Sequence, residues 1–237
     1  MNSNRLFETT PYLKACETRI LAIRPEGVEL EATVFYPQGG GQPGDTGYLR
    51  LTDGRELRVI DTRKGDSPGS LLHILESMPD DLEISQAVTT EIDWERRYSH
   101  MRMHTCLHLL CSLIDAPVTG GSIGSDRARL DFDLPDASLD KATLTDALNA
   151  LIQRDLPVGT RWITEQALDD QPELVRTMSV RPPRGSGRIR LVEVEGVDLQ
   201  PCGGTHVGRT GEIGRVMVSK IEKKGRQNRR VIVRFAE

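Results

Sequence analysis

The stretch of sequence that constrains the fold most strongly is residues 93–114, which read DWERRYSHMRMHTCLHLLCSLI. This stretch contains neither glycine nor proline. Its apolar residues recur at helical spacing, at Met103, Leu107, Leu110 and Ile114. Pro117 closes the stretch, because proline lacks a backbone donor and disfavours α geometry in the residue before it. The pattern therefore predicts one long helix.

The part of the chain before this helix is rich in short alternating apolar runs, which are typical of β-strands. Four strands are predicted, at Thr18–Arg24, Gly27–Tyr36, Tyr48–Leu51 and Leu57–Ile60. Turn signals separate them, for example at Asp53-Gly54. Strands at this spacing indicate a small β-barrel. We place a boundary near residue 90, which gives a barrel domain at 1–90 and a second domain at 91–237.

The later part of the chain alternates strands and helices. A strand is expected through Leu130 and Phe132, followed by a helix that runs from an N-cap at Ser138 to about Arg154. The further expected elements are a strand at Trp162–Thr164, a helix at Gln166–Met178, a strand at Arg188–Val194, and closing strands at Ile213–Ile221 and Arg229–Phe235. Helices mixed with strands that pair non-consecutively predict an α+β fold, with the barrel followed by an α/β sandwich.

The composition excludes several classes of protein. With 237 residues, 37% hydrophobic and 28% charged, wholesale disorder is not expected. No run approaches the roughly 20 apolar residues that span a bilayer, and the N-terminus lacks an apolar signal region. Two of the four cysteines, Cys106 and Cys111, lie among histidines, which favours metal or thiol chemistry over a disulfide framework. We therefore expect a soluble cytoplasmic protein without a membrane partner.

Basic side chains concentrate towards the end of the chain. The net charge is −4, yet residues 209–237 contain nine lysines and arginines against three acidic residues. Residues 176–190 add five arginines without an acidic residue. A polyanionic partner explains this asymmetry, and a solvated basic surface is the alternative explanation.

Two pairs of metal-competent residues stand out. His104 and His108 lie one helical turn apart on one face, so both imidazoles can converge on one ion. Cys202 and His206 flank a glycine pair that allows a tight bend. Three imidazoles and a thiolate suit tetrahedral Zn²⁺, although two unrelated buried pairs remain possible. Cys106 lies on another face of the helix from His104 and is expected, like Cys111, to be a core residue.

A glycine-rich stretch, YPQGGGQPGDTG, occupies residues 36–47. Consecutive glycines expose backbone N–H groups that can approach an anion or a substrate closely. No Lys-Ser/Thr pair follows them, so the stretch is not a nucleotide-binding loop and no ATP requirement is expected. On composition alone, a flexible surface loop is the other interpretation.

Taken together, these motifs resemble the editing domain of alanyl-tRNA synthetase and its free-standing relatives, the AlaX-type trans-editing proteins. The residues that carry the resemblance are His104-x-x-x-His108, Cys202-Gly-Gly-Thr-His206 and the glycine-rich stretch. The stretch is similar to the motif of the medium-length AlaX subgroup, which has a small β-barrel before the editing domain. The resemblance covers nearly the whole chain. It implies hydrolysis of serine, or glycine, from mischarged alanine tRNA, a reaction needed because one small group gives a synthetase pocket only about 1–3 kcal/mol of discrimination.

The resemblance also implies roles for individual residues. One Zn²⁺ per chain is expected on His104, His108, Cys202 and His206. The candidate catalytic residues are Thr105, Gln42 and Ser125, with Ser122 as the alternative to Ser125 for the hydroxyl that senses the substrate side chain. Candidate contacts to the aminoacyl end are Gly39, Gly40 and Gly41. Candidate tRNA contacts are Arg184, Arg188, Lys223, Lys224, Arg229 and Arg230.

Three other functions stay open at this point. The enzyme could deacylate another aminoacyl-tRNA, since the editing domain of threonyl-tRNA synthetase has a similar signature. The chain could instead be a zinc-stabilised RNA-binding module without catalysis. A metalloprotease is disfavoured, because Thr105 stands where such enzymes place their glutamate base.

Overall fold

The computed structural model describes residues 3–67, 69–135, 139–178 and 187–236. The chain forms two compact units, one made of residues 1–39 and 43–98 and the other of residues 40–42 and 99–237. No helix in the described part of the chain is both long and apolar enough to traverse a membrane.

The first unit is built around a closed barrel of six strands in the order β2-β3-β7-β6-β5-β8. These strands are β2 (Ala15–Arg24), β3 (Gly27–Leu30), β5 (Gly47–Leu51), β6 (Glu56–Lys64), β7 (Leu71–Leu75) and β8 (Ala87–Ile92). Two shorter strands, β1 (Asn4–Arg5) and β4 (Ala32–Thr33), pair in parallel, and helix α1 covers Leu6–Thr9. The barrel interior is apolar, with Ile20, Leu30, Phe35, Leu49 and Val59 almost fully buried. The predicted barrel is confirmed.

The long helix predicted from residues 93–114 is also confirmed. Helix α2 spans Trp94–Leu113. The four apolar residues whose helical spacing predicted it, Met103, Leu107, Leu110 and Ile114, are all buried. Cys106 and Cys111 are buried core residues, as expected.

Among its described residues, the second unit contains two sheets and, besides α2, two further helices. A four-stranded sheet has the order β14-β15-β10-β9, and a three-stranded sheet has the order β11-β12-β13. Their strands are β9 (Val118–Ile123), β10 (Arg127–Asp133), β11 (Val158–Thr164), β12 (Arg188–Val194), β13 (Asp198–Pro201), β14 (Val216–Lys224) and β15 (Asn228–Phe235). The mixed α/β character that was predicted is therefore confirmed.

Helix α3 (Lys141–Gln153) packs its buried residues Leu144, Leu148 and Ile152 into this unit. Its N-cap is Asp140, whose carboxylate accepts a hydrogen bond from the Thr143 N–H at 2.8 Å. The predicted N-cap, Ser138, lies outside the described residues.

One predicted helix is wrong in extent. Instead of running from Gln166 to Met178, helix α4 covers only Glu165–Asp169, and a single 3₁₀ turn follows at Pro172–Leu174. The cause is Pro172, because a proline disfavours α geometry in the residue before it and removes a backbone donor. A second 3₁₀ turn, Thr210–Ile213, precedes β14, so that strand begins later than predicted.

Candidate metal centre

Four side chains from two elements of the second unit converge on one point. Helix α2 supplies His104 and His108, and the loop after β13 supplies Cys202 and His206. One potential ligand atom from each residue lies within 4.8 Å of those of the other three. The three histidines are at most 7% exposed. Three imidazoles and one sulfur at this spacing fit a single tetrahedral ion.

Each of the three imidazoles is held by its Nδ1 atom. Nδ1 of His104 lies 2.9 Å from Oε1 of Gln42, and Nδ1 of His108 lies 2.8 Å from Oδ2 of Asp198. Both oxygens are acceptors, so in each neutral ring the proton is on Nδ1 and Nε2 carries the lone pair. That lone pair is the one needed for a metal bond.

The third histidine, His206, is held by a hydroxyl. Nδ1 of His206 lies 3.1 Å from Oγ1 of Thr105, and Thr105 donates its own proton to the Met101 carbonyl at 2.9 Å. The hydroxyl oxygen must therefore accept from the ring, which fixes the same tautomer as in the other two histidines. Nε2 of His206 lies 3.3 Å from Sγ of Cys202. Thr105 is fully buried, and its hydroxyl holds the His206 ring in place.

The surroundings of Cys202 favour its thiolate form. Burial alone would raise the pKa of Cys202, but the neighbouring His104 and His206 rings and hydrogen bonds hold that pKa well below its usual range. Burial raises the pKa of Cys106 to about 12, and burial is also the main reason why the pKa of Cys111 is about 12. Cys202 is therefore the cysteine suited to ligate a metal ion.

Gln42 does more than hold His104. Its Nε2 donates to Oγ1 of Thr205 at 2.9 Å, and its Oε1 also accepts from the Thr205 N–H at 3.2 Å. The side chain is fully buried. Gln42 therefore links His104 on helix α2 to the loop that carries Cys202 and His206.

The loop from Cys202 to His206 is held by its own sequence and by an arginine. A Cβ on Gly204 would lie 2.2 Å from Cε1 of His104, so only glycine fits there. Nη1 of Arg190, on β12, donates to the carbonyls of Cys202 and Gly204, each at 2.9 Å. These contacts fix the loop against the sheet.

The glycine-rich stretch bends sharply before Gln42. Gly40 and Gly41 have φ of +57° and +82°, values that favour glycine. The Gly41 carbonyl accepts a hydrogen bond from the Ile123 N–H at 2.9 Å. Gly39 belongs to the first unit, where its carbonyl accepts a hydrogen bond from the Tyr36 hydroxyl at 2.8 Å.

The remaining candidate residues lie in varied surroundings. Ser125 is exposed, and its hydroxyl lies 3.2 Å from Nε2 of His100, which is not among the four cluster residues. Arg188 is exposed, and Lys223 and Lys224 are exposed at the end of β14. Arg184 lies outside the described residues.

Two of the predicted tRNA contacts are engaged inside the second unit. Arg229 is 7% exposed and donates to the Pro135 carbonyl. Arg230 makes two hydrogen bonds to Asp131, at 2.7 and 2.9 Å.

Three residues around the cluster were missed by the sequence analysis: Asp198, Gln200 and Arg190. Nε2 of Gln200 donates to Oδ2 of Asp198 at 2.9 Å, so Gln200 holds the carboxylate that accepts the hydrogen bond from Nδ1 of His108. A signal was present, because polar residues at alternate positions of a strand share one face. Asp198 and Gln200 occupy such positions directly before Cys202.

Comparison with known proteins adds independent evidence. A family model described as "Threonyl and Alanyl tRNA synthetase second additional domain" matches residues 189–232, and one described as "tRNA synthetases class II (A)" matches residues 6–96. The first match contains the Cys202–His206 loop.

Curated relatives match over almost the full chain. The "Alanyl-tRNA editing protein AlaX-M" of Methanosarcina barkeri is 37% identical over 229 residues, which is 93% of either protein. The protein of the same name from Saccharolobus solfataricus is 33% identical over 97% of either protein. The "Alanine--tRNA ligase" of Pyrobaculum calidifontis is 33% identical, but the match covers only 25% of that longer protein. On this identity and coverage, the chain belongs to the AlaX-M family of alanyl-tRNA editing proteins.

Proposed function

We propose that this protein is a trans-editing aminoacyl-tRNA deacylase that removes serine, and glycine, from mischarged alanine tRNA in the cytoplasm. The observation that carries the proposal is the convergence of three imidazoles and one thiolate, with all three Nδ1 atoms already engaged. A preformed donor set of this kind is expected of a metal-dependent hydrolase in this family. Residues 91–237 form the editing domain and residues 1–90 the barrel domain in this proposal.

One Zn²⁺ ion is the proposed cofactor. His104, His108, Cys202 and His206 fit it, since three nitrogens and a sulfur are donors that zinc prefers. When bound, zinc supplies a Lewis acid that can orient the amino group or the carbonyl of the substrate.

The protein's own residues have distinct roles in this proposal. Gln42 and Thr105 position His104 and His206 through their Nδ1 atoms, and Asp198 positions His108. Backbone N–H groups of Gly39, Gly40 and Gly41 are proposed to approach the aminoacyl end, and Ser125 to act near the amino acid. The tRNA phosphates are expected to contact Arg184, Arg188, Lys223 and Lys224, and not Arg229 or Arg230, whose guanidinium groups bind Pro135 and Asp131 within the second unit.

The proposal is tested by measuring release of labelled serine from serine-charged alanine tRNA. We expect rapid loss of serine, sparing of alanine on correctly charged tRNA, and inhibition by a chelator that zinc reverses. His104→Ala should lower the rate by at least about 100-fold, because loss of a ligand costs more than the 10–100-fold typical of its outer partners. Asp146→Asn, at an exposed position of α3, is the matched control.

Threonine-charged and glycine-charged tRNA are included in the same assay. The family model that matches residues 189–232 names both threonyl and alanyl synthetases, which makes another aminoacyl-tRNA the second candidate substrate. If folded, zinc-loaded protein hydrolyses none of these esters but still binds tRNA, the deacylase proposal is wrong and a binding module replaces it.

A further inference from the structure

The edge strand β11 displays a large aromatic side chain. β11 is the outer strand of the sheet β11-β12-β13. Ile163 faces inwards, packed against a cluster that includes Ile189 and Leu191. Trp162 points to the opposite face, because neighbouring residues of a strand alternate, and it is 43% exposed. Burial in the protein core therefore does not account for this tryptophan.

An arginine accompanies the exposed indole. Arg188, at the start of β12, places its guanidinium carbon 5.6 Å from the centre of the Trp162 ring. Trp162 pairs in register with Arg190, and Arg188 lies two residues away on the same face. An exposed indole beside a guanidinium combines an aromatic surface for stacking with positive charge, which is the chemistry that recognises an unpaired nucleobase and its phosphate.

Paired backbone positions on neighbouring strands connect Trp162 to the loop from Cys202 to His206. Trp162 on β11 lies opposite Arg190 on β12, and the Cys202 N–H donates to the Arg190 carbonyl at 3.1 Å. Since adjacent strands lie about 4.8 Å apart, the backbones of Trp162 and Cys202 are separated by roughly 10 Å. The Arg190 side chain also extends towards Cys202, because its guanidinium group donates to the Cys202 carbonyl at 2.9 Å.

We propose that Trp162, with Arg188, is the stacking site for the terminal nucleobase at the 3′ end of the RNA substrate. The inference rests on the proposed function, because an aminoacyl ester is carried by the ribose of that terminal nucleotide. The base is therefore one sugar away from the scissile bond. A stacking surface two strands from Cys202 is at a suitable distance to hold the base while the ester lies at the cluster.

The first test measures binding directly. The chain has two tryptophans, so Trp94→Phe leaves Trp162 as the only indole fluorophore. The probe is the trinucleotide CCA, compared with the same trinucleotide carrying an abasic ribose at its 3′ position. We expect saturable quenching by CCA and a binding constant at least about 5-fold weaker for the abasic probe, since stacking on an aromatic side chain typically changes affinity by about 5- to 150-fold. Equal binding of the two probes would overturn the proposal.

The second test uses kinetics on serine-charged tRNA. Trp162→Ala should raise KM by about 5- to 150-fold with little change in kcat, and Trp162→Phe should restore most of the loss because it keeps an aromatic face. Ile84→Ala, which removes an apolar side chain that is 64% exposed, is the control and should leave KM unchanged. An unchanged KM in a folded Trp162→Ala protein would contradict the stacking role.

The two tests separate this inference from the deacylase proposal. If the wild-type protein hydrolyses no aminoacyl ester, the proposed function fails, but the fluorescence titration still decides whether Trp162 binds a terminal base. If the protein hydrolyses serine-charged tRNA and Trp162→Ala behaves as wild type, the deacylase stands and the stacking site is wrong.

Discussion

At the scale of single residues, the cluster uses three different acceptors for one task. An amide oxygen of Gln42, a carboxylate of Asp198 and a hydroxyl of Thr105 each accept a hydrogen bond from the Nδ1–H group of one histidine. A metal-binding histidine whose second nitrogen is held in this way keeps both its tautomer and its ring orientation. The rings of His104 and His206 are packed closely, with their centres 4.2 Å apart, so a rotation of one would disturb the other.

Gly204 gives the most direct test of this packing. A Cβ at this position would lie 2.2 Å from Cε1 and 2.4 Å from Nδ1 of His104, whereas a Cβ on Gly203 meets no atom within 4 Å. We expect Gly204→Ala to displace the His104 ring and to weaken zinc binding by at least about 10–100-fold, the range found when the surroundings of a ligand are altered. Gly203→Ala should bind zinc like the wild type.

Both variants are measured by competition with a chromophoric chelator, with circular dichroism to confirm folding. If the two alanine variants bind zinc equally, the cluster tolerates movement of His104 and the close packing has no bearing on affinity.

The four cluster residues could be predicted from the sequence, but not all of the residues that bind the histidine Nδ1 atoms could. His104 and His108 were predicted to lie together because they are one helical turn apart. Cys202 and His206 were predicted to lie together because a glycine pair separates them in a short loop. Gln42 was identified through a family resemblance, because no local rule links residues 62 positions apart. Asp198 was missed, since its contact with His108 spans 90 positions and exists only once β13 reaches α2. Sequence reasoning therefore identifies cluster residues that are close in the chain. It misses hydrogen-bond partners that come near them only when the chain folds.

At the scale of elements, the hairpin of β14 and β15 carries a group of exposed basic side chains. Lys223 and Lys224 end β14, and Arg226 lies in the connection, where Gly225 has φ of +73°. All three side chains are exposed, in contrast to Arg229 and Arg230. The structure thus separates basic residues that can contact a phosphate from those that hold the sheet together.

Neutralising this hairpin should weaken tRNA binding. We expect the combined variant Lys223→Gln, Lys224→Gln and Arg226→Gln to lose affinity for all tRNA sequences alike. The slope of log K against log salt should fall by up to about 3, since each phosphate contact contributes about 1. Binding is measured between 50 and 200 mM salt, with Arg154→Gln, an exposed arginine after α3, as control. An unchanged slope would show that the tRNA contacts another surface.

Helices α2 and α4 show where periodicity predicts an element and where it does not. α2 was predicted to within a residue at each end, because nothing interrupts its apolar repeat before Pro117. α4 was predicted too long, because the apolar residues Leu168, Leu174 and Val175 suggest one face, although Pro172 separates them. The three residues do share a cluster, but a short helix and a 3₁₀ turn place them there.

At the scale of the whole molecule, the barrel contains a fully buried imidazole. Nδ1 of His73 lies 3.1 Å from the Val28 carbonyl, and Nε2 lies 2.7 Å from the Thr33 hydroxyl. The carbonyl requires a proton on Nδ1, and Nε2 then accepts from Thr33, so the ring is neutral. Burial lowers the pKa of His73 from 6.5 to about 4, despite the hydrogen bond to Val28.

This histidine should make the folded protein sensitive to acid. The folded pKa lies below the unfolded value, so the unfolded chain takes up the proton first, and stability falls as the pH drops from about 6.5 to 4. Relative to His73→Gln, the free energy of unfolding of the wild type should fall by up to about 3 kcal/mol over this window. Denaturant unfolding of both proteins at a series of pH values measures the difference. A difference that is independent of pH would contradict a neutral His73.

The contact between Gln42 and Thr205 has a consequence for the order of events during protein synthesis. The two residues are 163 positions apart. A ribosome that adds about 5–20 residues per second makes Thr205 roughly 8 to 33 s after Gln42, and Cys202 roughly 5 to 20 s after His104. Throughout that interval, the nascent chain contains only two of the four cluster residues, His104 and His108. The set of four potential metal donors is therefore complete only after His206 has been made, and Cys202 and His206 are added almost together.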